Sequence, residues 1–163
     1  MSYTLPPQTF IGHVHLKVSN IDQAVAFYCG ILGFEVTMRW GSQAAFISAG
    51  GYHHHIGLNT WHSEGAPPPP SFSTGLYHAA ILLPNRLELS RAYRNLIEHD
   101  YPITGAADHG VSEALYLNDP DGNGLELYWD RPKEQWPKDA QGQLAMFTRA
   151  LDLNRLLAES ASS

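Results

Sequence analysis

Apolar and polar residues alternate through IGHVHLKV (11–18): Ile11, His13, His15 and Lys17 fall on one side, Gly12, Val14, Leu16 and Val18 on the other. A period of two with one apolar side predicts a strand. The period then lengthens. Ile21, Val25, Tyr28 and Leu32 are spaced for a helix over 21–32, with Asn20 or Asp22 to cap its start and Gly33 to end it. Strand candidates follow at 34–40, 44–49 and 53–61, separated by Gly41 and by Gly50-Gly51. Residues 62–73 contain a run of prolines and predict an extended linker. Beyond it the order repeats: a strand at 75–83, a helix at 86–100, and strands at 102–107, 113–119 and 124–130. Asp121-Gly122-Asn123-Gly124 is a turn signal between the last two.

Two halves that each read strand, helix, strand, strand, strand imply an internal duplication. His13 and His78 are separated by the same 65 positions as Tyr28 and Tyr93, the first pair on the opening strands and the second on the helices. The closing strands align at an offset near 69, which matches Gly57 to Glu126. The predicted fold class is α+β: one domain over 1–163, built from module one at about 10–61 and module two at about 75–131. A terminal helix over 139–159 follows, with Leu144, Phe147, Leu151 and Leu157 on its apolar side.

Composition narrows the function classes. A formal net charge of −6 argues against nucleic acid as a partner. No apolar run approaches the ~20 residues that span a bilayer, and no charged start precedes an apolar core as in a signal peptide. Cys29 stands alone, which excludes an intrachain disulfide and predicts a reducing, cytoplasmic location. What stands out is nine histidines in a chain of which only 16% is charged. Metal or proton chemistry is one reading of them, a polar surface the other.

The duplication decides between these for three residues. His13 and His78 hold equivalent opening-strand positions. Glu126, between Leu125 and Leu127, points to the face opposite those apolar neighbours and needs a cation or hydrogen-bond donors. Two imidazoles and one carboxylate make a facial triad that holds a divalent first-row metal with positions left open. A single histidine of this kind is usually just a polar residue on a wet strand face. Two in duplicated positions, with a carboxylate in a third, favour a metal.

Three stretches, IGHVHLKVSNIDQAVAFYCGILGFEV, LYHAAILL and ALYLNDPDGNGLELYWDRP, resemble the vicinal oxygen chelate superfamily over about residues 10–132. That superfamily contains extradiol ring-cleaving dioxygenases, glyoxalase I and bleomycin-resistance proteins. The resemblance implies two βαβββ modules forming a cupped mixed sheet around a metal, with His13, His78 and Glu126 at the ligand positions. Glyoxalase I has a fourth ligand on the last strand of its first module, where this chain has Gly57 or its neighbours. In this the chain resembles the ring-cleaving dioxygenases, and the stretch DHGVSEALYLNDPDGNGLELYWDRP is most similar to the catechol-2,3-dioxygenase-like branch; the resemblance implies ring cleavage of a catechol-type aromatic with dioxygen on Fe(II), or on Mn(II). By the same match, His54 in YHHHIGL is the acid/base residue with His53 beside it, and Tyr116 and His109 orient the substrate. An imidazole titrates near neutrality and suits that proton transfer. Strand alternation sets His53 and His55 opposite His54. A homodimer is common in the family. Two other readings remain open at this point: a metal-dependent isomerase or lyase of glyoxalase type, and a non-catalytic small-molecule binding protein of bleomycin-resistance type.

Overall fold

The computed structural model describes residues 2–161. The chain divides into two compact units, one ending at Ala66 and the other beginning at Pro67, so the boundary falls inside the expected linker. Each unit holds one module and a hydrophobic core of its own.

In the first unit, β1 (Val14–Lys17) is followed by α1 (Ile21–Gly30), β2 (Glu35–Trp40), β3 (Ala44–Ser48) and β4 (Ile56–Asn59). The sheet order is β1-β4-β3-β2. β1 runs parallel to β4 and the other pairs are antiparallel. Asn20 is the cap of α1, its side chain accepting from the Gln23 N–H at 2.9 Å. The helix buries Ile21, Ala24, Phe27 and Tyr28, which face a core containing Leu16, Val18, Ile47 and Leu58. It closes at Gly30, short of the Gly33 that the sequence offers as a stop.

The second unit repeats this order. β5 (Ala79–Leu82), α2 (Arg86–Glu98), β6 (Gly105–Asp108), β7 (Ser112–Asn118) and β8 (Gly124–Asp130) follow in turn, and with a later two-residue strand, β9 (Arg149–Ala150), the strands form a sheet ordered β5-β8-β7-β6-β9. β5 runs parallel to β8, pairing Ala79 with Leu125 and Ala80 with Glu126. The corresponding pairs in the first unit are Val14 with Ile56 and His15 with Gly57. The match of Gly57 to Glu126 read from sequence offsets is thus also a match of register. Asn85 caps α2, accepting from the Glu88 N–H at 2.9 Å.

The terminal helix is shorter and later than its periodicity predicts. Residues 139–148 are not helical. The Asp139 side chain accepts from the N–H groups of Gln141 and Gln143, both at 2.9 Å, which commits that segment to a turn. Arg149–Ala150 then forms β9 on the edge of β6, and α3 (Leu153–Ala161) starts behind Asp152, which accepts from the Arg155 N–H at 3.0 Å. α3 packs on α2 through the fully buried Leu156, and the Ser90 hydroxyl donates to the Leu156 carbonyl at 2.6 Å. Beneath them a charge network ties helices to sheet. Glu113, 6% exposed, accepts from Arg86 and from Arg131, both at 2.7 Å. Arg86 also reaches Glu159 on α3, and Arg131 reaches Asp108 at 2.6 Å. Among the described residues no helix is long and apolar enough to cross a membrane.

Candidate active site

In the second unit the chemistry gathers on one face of the sheet. Alternation along β8 buries Leu125 and Leu127 and turns Glu126 to the other side. Tyr116 of β7 is its direct cross-strand neighbour, and the phenol donates to Glu126 Oε1 at 3.1 Å. His78, one residue ahead of β5, sets Nε2 3.0 Å from Glu126 Oε2. That approach depends on Gly124. A Cβ there would lie 2.2 Å from the Tyr77 carbonyl oxygen and 3.2 Å from the His78 Cβ. On the far side of Tyr116, His109 Nε2 lies 2.7 Å from the phenol oxygen, and His109 Nδ1 lies 3.1 Å from the Thr148 hydroxyl. Tyr77, His78, Gly105, Tyr116 and Asn118 are among the residues lining a cavity of about 430 Å³ beside this row, within the usual range for small-molecule sites.

The electrostatics follow from the packing. Burial, reinforced by the Glu126 carboxylate, pushes the Tyr116 phenol up to about 12. Tyr116 is therefore a hydrogen-bond donor at neutral pH. Its single O–H points at Glu126, so the contact with His109 is supplied by an Nε2–H.

The donor set also suits a metal. Two ligands each about 2.1 Å from one ion and at right angles lie about 3.0 Å apart, which is the separation of His78 Nε2 from Glu126 Oε2. Nitrogen and carboxylate oxygen are borderline-to-hard donors, right for a divalent first-row ion.

The first unit carries the other predicted residues. His13 lies just ahead of β1, and its ring centroid is 4.3 Å from that of His54 and 6.5 Å from that of His53. His53 Nδ1 and His54 Nδ1 are 2.7 Å apart, so one donates to the other. Lost solvation and, next to it, the imidazoles of His13 and His53 lower the His54 pKa. The expected split of His53 and His55 from His54 is not observed. β4 begins only at Ile56, so strand alternation does not govern residues 53–55. His53 and His54 both lie by His13, whereas His55 pairs its Nδ1 with the Ser48 hydroxyl at 3.0 Å.

At Gly57, the counterpart of Glu126, a side chain would have to displace the His15 ring. A Cβ there would meet the His15 ring at 2.9–3.0 Å. His15 itself packs against Trp61 and Phe46, at 5.6 and 5.8 Å between ring centroids. His62 and His99 are exposed.

The structure thus brings His78, Glu126, Tyr116 and His109 together in the second unit, and His13, His53 and His54 in the first. Among the described residues no three His, Cys, Asp or Glu side chains gather as a metal-holding group. Sequence reasoning missed Thr148 as the partner of His109, because residues 139–159 read as one helix. It also missed the closeness enforced by Gly124, which sequence shows only as part of a turn.

Residues 10–127 match the model of the glyoxalase/bleomycin resistance protein/dioxygenase superfamily. A catechol-2,3-dioxygenase of Bacillus subtilis is 45% identical over 152 residues, which is 93% of this chain and 52% of that protein. A biphenyl-2,3-diol 1,2-dioxygenase of Rhodococcus globerulus is 32% identical over 123 residues, covering 73% of this chain and 62% of that protein. The chain thus spans between half and two thirds of the length of these relatives. Among solved structures, a glyoxalase/dioxygenase from Nostoc punctiforme aligns over 81% of this chain and 99% of its own, with a TM-score of 0.63 at 20% identity. Duplicated module, register and family match agree, and the chain belongs to the glyoxalase/bleomycin resistance protein/dioxygenase superfamily.

Proposed function

We propose that this protein is an extradiol dioxygenase that opens a catechol-type aromatic ring beside its hydroxyl groups, using dioxygen and a divalent metal. The observation that carries the reading is the row His78, Glu126, Tyr116, His109: two donors spaced for one ion, a phenol beside them, and an imidazole behind the phenol. The names of the Bacillus and Rhodococcus relatives, both diol dioxygenases, support it.

In this reading His13, His78 and Glu126 hold the metal, Fe(II) in the first place and Mn(II) in the second, and the protein works in the cytoplasm. When bound, such an ion supplies a template for the two reactants and acidifies a catechol hydroxyl. The protein's own groups do the rest. Tyr116 stays a phenol at neutral pH and donates towards a substrate oxygen on the Glu126 side. His109 holds the Tyr116 oxygen in place. His54, packed against His13, accepts a catechol proton. The crowding of Gly57 by His15 counts against a glyoxalase-type reaction with a fourth ligand at that position.

The test is direct. Protein loaded anaerobically with Fe(II) is mixed with catechol and dioxygen, and the yellow ring-cleavage product is followed by absorbance. His13→Ala and Glu126→Ala should each abolish both tight metal binding and product. Metal binding that survives His13→Ala, or turnover of thiol adducts without ring cleavage, refutes the assignment.

A further inference from the structure

The family match stops at residue 127, yet the tail beyond it touches the site. β9 pairs Arg149 with Asp108 and Ala150 with Ala107. This lays the tail along β6, immediately before His109. The Phe147 N–H donates to the His109 carbonyl at 3.3 Å. Gly110 adopts φ +78, and a Cβ there would lie 2.6 Å from the Phe147 ring and 2.8 Å from Pro137. A glycine after His109 therefore lets the tail close on the His109 loop. Thr148, between Phe147 and β9, then meets His109 Nδ1 at 3.1 Å.

Hydrogen-bond bookkeeping along this row leaves one arrangement for neutral His109. The Tyr116 hydroxyl donates to Glu126 Oε1, the anionic and therefore stronger acceptor of its two neighbours. His109 must therefore donate from Nε2, and its Nδ1 must accept. The Thr148 hydroxyl is the donor placed to supply that bond. We propose that Thr148 is a positioning residue: by donating to Nδ1 it fixes His109 with its proton on Nε2, and so keeps the Tyr116 proton directed at Glu126. Without Thr148, the opposite tautomer would draw the Tyr116 proton to Nε2 and away from Glu126. The structural part concerns the resting protein; its bearing on turnover rests on the dioxygenase reading.

The experiment uses the whole chain with ¹⁵N-labelled histidine, in mildly alkaline buffer where imidazoles are neutral. Ring-nitrogen shifts identify which nitrogen of His109 carries the proton, with His109→Gln to assign the signal. Wild type and Thr148→Ser should show Nε2–H. Thr148 is exposed, so water can take over part of its donation; in Thr148→Val, close to isosteric but without the hydroxyl, the Nδ1–H form should rise about twofold relative to Nε2–H, the lower end for losing one hydrogen bond. Circular dichroism checks that each variant is folded; a valine variant that fails this check is replaced by Thr148→Ala. An unchanged tautomer ratio in the folded hydroxyl-less variant overturns the proposal, as does an equal shift in Thr148→Ser. For catechol cleavage, kcat should fall a few-fold in Thr148→Val at unchanged KM and recover in Thr148→Ser. A tautomer shift in a protein that cleaves no catechol upholds the positioning role and refutes the dioxygenase reading alone.

Discussion

Replacing Gly124 with alanine tests the geometry on which the second unit's site depends. The added methyl would sit 2.2 Å from the Tyr77 carbonyl oxygen and 3.2 Å from the His78 Cβ. A carbon–oxygen contact is comfortable only from about 3.3 Å, so the chain at Tyr77–His78 must retreat by roughly 1 Å. The obstacle is backbone and cannot rotate away. Overpacking of this kind costs about 1–3 kcal/mol. Its effect on function should be larger than its effect on stability, because His78 Nε2 lies 3.0 Å from Glu126 and moves with the displaced segment; a 1 Å misplacement can cost about 10²-fold in activity. Gly105→Ala is the control. Its Cβ would meet Tyr116 Cδ2 at an ordinary 3.7 Å. It should be neutral or slightly stabilising, through lower unfolded-state entropy. Urea denaturation measures stability, and anaerobic Fe(II) titration measures the site. Equal behaviour of the two variants in both assays would refute the close-approach argument.

Glu113→Ala removes the carboxylate that bridges Arg86 and Arg131 and leaves each guanidinium one acidic partner, Glu159 and Asp108; urea denaturation should show a loss of about 1.5–3 kcal/mol. Burial pushes the Asp108 carboxyl up, but hydrogen bonds from Arg131 and the Gly110 N–H outweigh it and hold that carboxyl below the usual carboxylate range. Asp108 therefore stabilises the fold at neutral pH, and that contribution is lost as pH falls below about 4. Asp108→Asn should flatten the acid limb of a stability–pH curve, and an unaltered limb would contradict the assignment. Tyr116→Phe should keep metal binding and lower ring-cleavage kcat by about 10²-fold, as expected for loss of a positioned proton donor; unchanged kcat would remove Tyr116 from the mechanism.

Much of this fold was legible because two periods repeat in the same order. The alternation at 11–18 and around Glu126 foretold which residues face away from the cores. The 65-residue spacing of His13 and His78 foretold their equivalence, and the offset of the closing strands foretold the register that matches Gly57 to Glu126. The failures share one cause, namely residues whose conformation is set by a distant partner. His53 follows no strand alternation because β4 starts after it. Residues 139–148 have helical spacing, but the Asp139 turn and the pairing of β9 with β6 decide their path. Thr148 carries no sequence signal at all, since its significance comes from where β9 sets it down.

β9 has only two residues, yet it determines how the polypeptide can be shortened. It occupies the outer side of β6, where unpaired N–H and C=O groups would otherwise invite another chain to add a strand. A truncation just past the shared family region, after Arg131, would strip that edge, uncover the face of α2 that receives Leu156, and leave Arg86 without Glu159. Such a fragment keeps every proposed metal ligand and becomes prone to aggregate. A boundary for excising or fusing this module therefore belongs after α3.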